Sequence, residues 1–450
     1  MKVLSGSSLS SLQAVTIDAL PDKRDRGLAS ELVYGVLRHY WQIDYLLSCL
    51  LSKPLKSKDD DIRLHLLLGL YELWQCRTPD YAVVNETVNK VRKSRKKWAA
   101  SMINAVLRRF EREKETLEQK LSAQPEPVRL SHPQWMVDML RRDWPGDGAD
   151  AEPGNNSGKD PGKESGKDSG GWQYILEQNN LRAPMYLRVN SRQSTPDQYL
   201  HKLVEQGIEA VLDGFTQPAH TAIRLQHSQD ARSLPGFEQG QVSVQDIAAQ
   251  MAAVLLPVEP GQRVLDLCAA PGGKTCHLLE AYPGLDRLVA VEIDETRMQR
   301  VQENLDRLQL DDGNTELVTA DVLEYRQWWD GVPFDRILID APCSASGVIR
   351  RHPDIKLLRR EQDISVLVEL QRHILDSAWQ MLAPGGLLLY ATCSVFRDEN
   401  DRQVQAFLGA TADAQEDRFE ADWGVPCEAG RQLLPGHTDG FYYCRLVKSV

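Results

Sequence analysis

The stretch "VLDLCAAPGGKTCHLLE", from Val264 to Glu280, is the clearest indication of architecture in this chain. An apolar strand runs into Asp266, a turn of small residues and glycines follows, and a helical pattern comes next. Such a turn lets the backbone approach a ligand closely and directs the N–H groups of a helix start toward it. The G-x-G-x-x-G spacing of dinucleotide sites is absent, and Cys268 stands where a phosphate-binding loop needs its first glycine. The remaining interpretation is that this turn binds a nucleoside cofactor without a long phosphate chain.

Strand and helix patterns alternate from about Gln241 to the end of the chain. Alternation of this kind predicts a doubly wound, mostly parallel sheet that binds ligands at the carboxyl ends of its strands. We therefore expect an α/β Rossmann-like domain over residues 241–450. The five strand candidates are Arg263–Leu267, Leu288–Val291, Thr315–Val318, Arg336–Ile339 and Leu387–Tyr390.

Acidic and thiol side chains stand at successive strand ends in this region. Glu292 closes the second strand, where an acid would bind ribose hydroxyls, and Asp321 follows the third, where it can flank an adenine. Asp340 ends the fourth strand. The similar stretches "APCSA" and "ATCSV" place Cys343 after the fourth strand and Cys393 after the fifth. Because these ends share one edge of the sheet, we expect the two cysteines and Asp340 to converge.

The two cysteines could also bind zinc, belong to a hydrolase or simply fill space in the core. Zinc is disfavoured because no C-x-x-C occurs and no histidine pair with ligand spacing stands near them. A serine hydrolase is disfavoured because G-x-S-x-G is missing. Either cysteine alone would be interpreted as a small buried hydrophobe. The presence of both at adjacent strand ends, beside Asp340, favours catalysis.

Residues 1–145 have apolar residues at three- and four-residue spacing and predict an all-helical domain. The chain has a net charge of −11, yet this part carries 24 Lys and Arg against 18 Asp and Glu. A basic run next to Trp98 could bind RNA phosphates and stack a base. Alternatively, the run is a solvated helix end and Trp98 anchors the core. The candidate RNA contacts in this run are Lys93, Arg95, Lys96 and Lys97.

The middle of the chain predicts two further parts. Residues 146–171 are rich in Gly, Asp, Ser and Lys, so they cannot bury enough apolar surface to offset their ordering entropy and predict a flexible linker. Residues 172–240 predict a small α+β module. The eight scattered cysteines do not resemble a secreted disulfide framework. Neither a signal peptide nor a membrane span is recognisable, so a cytoplasmic location is expected.

Several long motifs resemble those of one enzyme family. The stretches "DLCAAPGGKT", "DAPCSASGVIRRHPDIK" and "YATCSVFRDEN" are similar to the defining motifs of the S-adenosylmethionine-dependent RNA cytosine-5 methyltransferases of the Sun family. The pieces "LRVN", "VQDIAAQM" and "DGFYYCRL" also fit, and the helical front resembles the antitermination factor NusB. That combination is typical of bacterial enzymes that modify small-subunit (16S) ribosomal RNA. The resemblance covers nearly the whole chain except the linker.

The resemblance implies roles for individual residues. Cys393 would add to C6 of a cytosine as the nucleophile, Asp340 would hydrogen-bond the base and supply a proton, and Cys343 would assist product release. Arg350 and Arg351 are candidates for RNA phosphate contacts, with ordinary surface charge as their alternative. The residues expected to hold S-adenosylmethionine are Cys268, Ala269, Ala270, Pro271, Gly272, Gly273, Lys274, Glu292, Asp321 and Asp340.

The chain departs from the family pattern at two places, and two rival functions remain. Glu292 stands where the family more often has Asp, and the linker resembles an insertion peculiar to this chain. A DNA cytosine methyltransferase would use Cys343 as its nucleophile, but its Glu-Asn-Val element is not found. A non-catalytic RNA-binding protein would use the NusB-like front, against which the intact Cys343, Cys393 and Asp340 argue. The expected partner is 16S ribosomal RNA, with no metal, no membrane and a monomeric state.

Overall fold

The computed structural model describes residues 2–146, 170–214, 222–311 and 313–450, which fall into two compact units. The helical unit comprises residues 2–145, 171–182 and 349–360. The sheet unit comprises residues 183–348 and 361–450 where they are described. The predicted flexible linker falls almost wholly on residues 147–169, which lie outside the described residues.

The α-helices are numbered along the whole chain. In order they are α1 (Leu9–Thr16), α2 (Lys23–Arg38), α3 (Tyr40–Leu50), α4 (Asp60–Gln75), α5 (Asp80–Arg92), α6 (Ala100–Ser122), α7 (Glu126–Arg129), α8 (Gln134–Asp143), α9 (Trp172–Asn179), α10 (Pro196–Glu205), α11 (Ile247–Leu255), α12 (Gly273–Ala281), α13 (Glu295–Leu308), α14 (Ile355–Leu358), α15 (Glu361–Met381) and α16 (Asp401–Ala410).

The β-strands that the structure describes belong to the sheet unit. In order they are β1 (Met185–Val189), β2 (Ala210–Leu212), β3 (Ala222–Leu225), β4 (Val242–Val244), β5 (Arg263–Leu267), β6 (Arg287–Glu292), β7 (Thr315–Thr319), β8 (Phe334–Asp340), β9 (Leu382–Thr392), β10 (Ala414–Glu416), β11 (Val425–Pro426), β12 (Arg431–Leu433) and β13 (Phe441–Lys448).

The helical unit confirms the all-helical prediction for the front of the chain. Its helices are amphipathic, and α6 buries a face that includes Ile103, Leu107 and Phe110. Capping fixes where helices begin: at the start of α2 the Asp22 carboxylate accepts from the backbone N–H groups of the first turn. The spacing of apolar residues in the sequence is therefore the spacing that packs this core.

A segment from the second half of the chain also belongs to the helical unit. Residues 349–360 follow the Cys343 motif in sequence, and Lys356 anchors them while only 1% exposed. Its ammonium donates to the carbonyl oxygens of Arg38 at 2.5 Å and Ser131 at 2.7 Å, and to Asn180 Oδ1 at 2.9 Å. Burial lowers the pKa of Lys356 well below its usual value.

The small α+β module contains a four-stranded antiparallel sheet in the order β2-β3-β1-β4 with α10 packed against it. Its limits differ from the predicted 172–240 at both ends. Helix α9 groups with the helical unit, because Ile175 and Leu176 are buried there, and the sheet runs on to Val244 through β4. Composition marks the linker clearly but does not reveal which neighbour a short helix packs against.

The large sheet confirms the predicted Rossmann-like domain. Its order is β11-β12-β13-β9-β8-β5-β6-β7, with β10 beside β13. Strands β7, β6, β5, β8 and β9 are parallel, whereas β13 is antiparallel to β9. The chain therefore winds outward in both directions from β5, and the crevice between the ends of β5 and β8 is the topological switch point where ligands bind in such sheets.

Candidate active site

The turn after β5 is shaped by two residues with positive φ. Cys268 has φ 62° and Gly272 has φ 92°, after which α12 begins at Gly273. A Cβ on Gly272 would lie 3.1 Å from the backbone of Val301, so glycine suits both the conformation and the close packing there. The first N–H groups of α12 have no partners within the helix. The turn and helix start thus form the backbone cradle that the sequence predicts.

Two of the predicted acids lie near this turn or cap the next element. Glu292, 2% exposed, accepts from the backbone N–H of Ala270 at 3.4 Å and from Arg297 Nη1 at 3.1 Å. Asp321 caps the turn after β7 by accepting from Leu323 N at 2.9 Å. Glu292 is therefore tied to the cradle. Asp321 caps the turn after β7, and its contact with an adenine stays a prediction.

Asp266 is a buried acid without a predicted role of its own. Its Oδ2 accepts from Thr275 Oγ1 at 2.5 Å. Its Oδ1 is buried without a hydrogen-bond partner among the described residues. Burial raises its pKa to about 7, with a further contribution from the charge of Asp340. An unused acceptor beside the cradle is available for a donor on a bound ligand.

Lys274 and Asp340 form an ion pair at the switch point. The Lys274 ammonium lies 2.6 Å from Asp340 Oδ2 and 5.1 Å from the centre of the Phe441 ring. The lysine side chain is 10% exposed and the aspartate 29%. The cradle lysine therefore contacts the fourth-strand acid directly, which the sequence did not predict because the two residues are far apart in the chain.

The two cysteines converge as expected. Cys343 Sγ lies 3.4 Å from Cys393 Sγ, with Cys343 9% exposed and Cys393 half-buried. The hydrogen bond to Cys393 and burial together raise the pKa of Cys343 well above its ordinary value. Cys343 is therefore a thiol at neutral pH and can donate its S–H to the Cys393 sulfur.

The serine that follows each cysteine contacts the same buried carboxylate. Glu399 Oε2 accepts from Ser344 Oγ at 2.6 Å and from Ser394 Oγ at 2.5 Å. Glu399 Oε1 accepts from Ser344 N at 2.7 Å and from Gln371 Nε2 at 3.1 Å. Sequence reasoning missed this group, although the repeated Cys-Ser pair was a signal that the two turns share a partner.

Two glycines, Gly347 and Gly440, take part in backbone hydrogen bonds that hold the Cys343 turn in place. Gly347 N donates to Cys393 O, and Gly440 N donates to Gly347 O, both at 2.9 Å. A Cβ on Gly347 would lie 2.2 Å from Gly440 O, so only glycine fits this approach. The Cys343 turn is thereby fixed against both β9 and the start of β13.

The candidate RNA contacts at the front differ in their surroundings. Lys93, Arg95 and Lys97 are exposed, and Trp98 is 58% exposed, so the alternative of Trp98 as a core anchor is wrong. Lys96 is not a free cation, because its ammonium lies 3.0 Å from Asp59 and 2.6 Å from Asp61 in ion pairs with their carboxylates.

The prediction of Arg350 as a surface contact is wrong. Arg350 is 2% exposed, and its carbonyl accepts from Arg38 Nη2 at 3.1 Å. It belongs to residues 349–360, which group with the helical unit. Arg351 is half-buried in the same segment. Neither burial could be inferred from the sequence, where the two arginines stand in a polar stretch.

Metal clusters and membrane-spanning helices are both absent from the described part of the chain. Across residues 2–146, 170–214, 222–311 and 313–450, no group of three or more His, Cys, Asp and Glu side chains is arranged to hold a metal ion. In the same ranges, no helix has the length and apolar character needed to cross a bilayer.

The fold and the candidate site together are typical of a multidomain methyltransferase. A Rossmann-like methyltransferase domain carries the cradle, the strand-end acids and the cysteine pair, and it is joined to a small α+β module and a helical front. Three family models match these parts: the NusB family over residues 3–112, the ferredoxin-like domain of RsmF/B-like methyltransferases over 166–232, and 16S rRNA methyltransferase RsmB/F over 253–447.

Individual relatives agree with the family matches. Ribosomal RNA small subunit methyltransferase B of Pseudomonas putida is 46% identical over 449 residues, covering 99% of this chain and 96% of the relative. The protein of the same name from Vibrio cholerae is 44% identical and covers 94% and 90%. The crystal structure of a methyltransferase homolog protein from Pyrococcus horikoshii superposes with a TM-score of 0.58 at 25% identity, covering 72% of this chain and 97% of that one. The chain belongs to the ribosomal RNA small subunit methyltransferase B family.

Proposed function

We propose that this protein methylates C5 of a cytosine in 16S ribosomal RNA, with S-adenosylmethionine as methyl donor and a covalent bond between Cys393 and C6 of the base. The observation that carries the proposal is the pair of sulfurs 3.4 Å apart at the ends of two neighbouring parallel strands. They follow the carboxyl ends of β8 and β9, and the Lys274–Asp340 ion pair lies at the carboxyl ends of β5 and β8, so thiol and acid–base groups share one edge of the sheet.

The cradle residues suit a nucleoside cofactor. Glu292 at the end of β6 can accept from ribose hydroxyls, and Asp321 can flank the adenine. The free Oδ1 of Asp266 can accept from the amino group of the methionine part. The helix start at Gly273 offers backbone N–H groups. When bound, the cofactor supplies an electrophilic methyl group on a sulfonium.

Cys393 acts as the nucleophile because C5 of cytosine is itself too weak to take a methyl group. Addition of the Cys393 thiolate to C6 makes C5 an enamine-like carbon that can attack. The thiolate is the reactive form, and the Cys343 thiol stabilises it by donating a hydrogen bond. When the C5 proton passes to solvent water, its C–H electrons form the C5–C6 double bond and the Cys393–C6 bond breaks, and Cys343 stabilises the departing thiolate by the same hydrogen bond.

Asp340 contacts the cytosine base, and Lys274 orients Asp340. The Asp340 carboxylate accepts a hydrogen bond from the N4 amino group of the cytosine, and it relays a proton from the Lys274 ammonium to N3, which stabilises the adduct. Lys274 orients the Asp340 carboxylate through their 2.6 Å contact. The target base reaches them by being splayed out of its RNA loop. The exposed cations near Trp98 contribute phosphate contacts and the tryptophan a stacking surface.

Substitution of each cysteine tests the proposal. We expect Cys393→Ala to abolish methyl transfer to 16S rRNA, measured by bisulfite sequencing, because the thiolate that adds to C6 is removed. We expect Cys343→Ala to accumulate a covalent protein–RNA adduct on denaturing electrophoresis with cofactor present, because the departing thiolate loses its hydrogen-bond donor.

Cys427→Ala serves as the control, since this half-buried thiol lies between β11 and β12 and should leave both readouts unchanged. Methylation that persists in Cys393→Ala, or an adduct formed through Cys343, would overturn the nucleophile assignment and favour a DNA-type mechanism. Absence of methylated cytosine with the wild-type protein would overturn the proposed function.

A further inference from the structure

Glu399 stands between the two cysteine turns, and its carboxylate accepts hydrogen bonds from both. The Ser344 and Ser394 hydroxyls lie 3.2 Å apart and both donate to Glu399 Oε2. Ser344 N donates to Oε1. The remaining donor, Gln371 Nε2, also donates to Pro342 O at 3.0 Å, so it too holds the first turn. Among the described residues, every hydrogen bond of this carboxylate thus leads to a cysteine turn.

This carboxylate is costly to bury. Glu399 is 0% exposed, and among the described residues no Lys, Arg or His lies within ion-pair distance of it. Burial raises its pKa, although hydrogen bonds from Ser344 and Ser394 lower it in part. A buried acid without a cation is retained only where its hydrogen bonds are valuable. A neutral or apolar side chain would fill the same space at lower cost.

The carboxylate supplies a connection that the sheet does not. β8 and β9 are paired up to Asp340 and Ala391, and the chains then diverge into separate turns. Beyond that point, Gly347 N to Cys393 O is a backbone hydrogen bond between the turns. The hydrogen bonds of Glu399 join the residue directly after Cys343 to the residue directly after Cys393.

We propose that Glu399 is a positioning residue that ties the two cysteine turns together and fixes the separation of the Cys343 and Cys393 sulfurs. The expected effect on catalysis rests on the proposed function. The geometry of the two turns does not, because it exists without substrate. Misplacement of a reacting group by about 1 Å can cost about a hundredfold in rate. Glu399 therefore acts through the two sulfurs without touching the RNA.

Cross-linking of the two thiols tests the geometry in the absence of RNA and cofactor. Dibromobimane bridges thiols that are close together, and the Cys343–Cys393 bridge is quantified by peptide mass spectrometry on the full-length protein. We expect Glu399→Ala to reduce the rate of bridging at least about fivefold, because the turns lose the carboxylate that joins Ser344 to Ser394. They keep the contacts of Gly347 N with Cys393 O and of Ser346 Oγ with Val395 N and Ser394 Oγ. Glu399→Gln should stay within about twofold of wild type, since the amide keeps the shape and the serine hydroxyls can rotate to accept from it.

Asp401→Asn is the matched control. Its carboxylate is equally buried and two residues away, but it contacts Arg397 Nε at 3.0 Å and neither cysteine turn. The bridging rate in this variant should equal that of wild type. A bridging rate in Glu399→Ala equal to wild type, with only a lower melting temperature, would show that Glu399 is structural filler and would overturn the proposal.

Single-turnover methylation with excess enzyme measures the consequence. We expect a loss of about ten- to a hundredfold in Glu399→Ala with cofactor affinity within about twofold of wild type, and recovery of most of the rate in Glu399→Gln. If wild type does not methylate RNA, the proposed function fails while the bridging result still stands. If Glu399→Ala does not fold, the double variant Ser344→Ala and Ser394→Ala removes the same hydroxyl contacts, and wild-type bridging in it would contradict the proposal.

Discussion

At the scale of single residues, Lys274 has the most informative position in the site. The sequence places it in the cofactor turn, yet its ammonium lies against Asp340 at the end of another strand. One side chain therefore connects the cradle to the acid at the end of β8, which we propose binds the base. The Phe441 ring beneath the ammonium adds a third element, β13, to the same contact.

Replacement of Lys274 should show whether this residue acts by orienting Asp340 or by stabilising the fold. We expect Lys274→Met to lower the single-turnover rate of methyl transfer by about a hundredfold, because Asp340 loses the charge-assisted hydrogen bond that orients it. The control is Lys448→Met, which removes a half-buried ammonium that donates to Trp379 O at 2.8 Å in the same unit. An equal loss of rate in both variants would contradict the special role of Lys274.

At the scale of elements, the close approach of Gly347 and Gly440 constrains how the Cys343 turn packs against the start of β13. We expect Gly347→Ala to destabilise the protein by about 2 kcal/mol, since its Cβ would lie 2.2 Å from a carbonyl oxygen that cannot move freely. Methyl transfer should fall as well, because the Cys343 turn shifts. Urea denaturation and the single-turnover rate measure the two effects.

The matched control for this glycine lies in α16. Gly409 is exposed, and a Cβ there would meet nothing within 4 Å. Gly409→Ala should therefore be neutral or stabilising by up to about 0.5 kcal/mol, through higher helix propensity. If Gly347→Ala were as stable and active as Gly409→Ala, the two turns would have more freedom than this contact allows.

The elements themselves were largely predictable from the sequence. The strand prediction Arg263–Leu267 is matched residue for residue by β5, and the other four predictions fall inside β6, β7, β8 and β9. Local apolar runs and turn residues carry this information. The antiparallel β13 was not predicted, and the predicted module limits of 172–240 differ from those of the four-stranded sheet, because strand pairing and the packing of α9 depend on residues distant in sequence.

At the scale of the whole molecule, charge distribution matters more than net charge. The chain is acidic overall, yet Arg95 and Lys97 are exposed next to the exposed Trp98, whereas Lys96 between them is neutralised by two aspartates. Three adjacent basic residues thus have different capacities to bind a phosphate. A prediction from the sequence treats them as equivalent.

Salt dependence of RNA binding should distinguish these residues. For the double variant Arg95→Ala and Lys97→Ala, we expect the slope of log affinity against log salt to fall by about 1.5, since two phosphate contacts are lost. Lys96→Ala should leave the slope unchanged, because its charge is already paired. Fluorescence anisotropy with a 16S rRNA fragment between about 50 and 200 mM salt measures the slopes. An equal effect of Lys96→Ala would contradict the assignment.

The sequence by itself determines the features that local signals encode. The tertiary structure decides the features that depend on contacts between residues distant in sequence. The cradle, the strand-end acids and the two cysteine turns follow from short motifs, because each is set by a strand, a turn and the residue types that the turn tolerates. Folding alone brings Lys274 to Asp340, joins Ser344 to Glu399 and buries Arg350. The residues in contact are far apart in the sequence: Ser344 and Glu399 are separated by 55 positions, and Arg38 and Arg350 by 312. They depend on how strands and helices pack, so no local pattern encodes them.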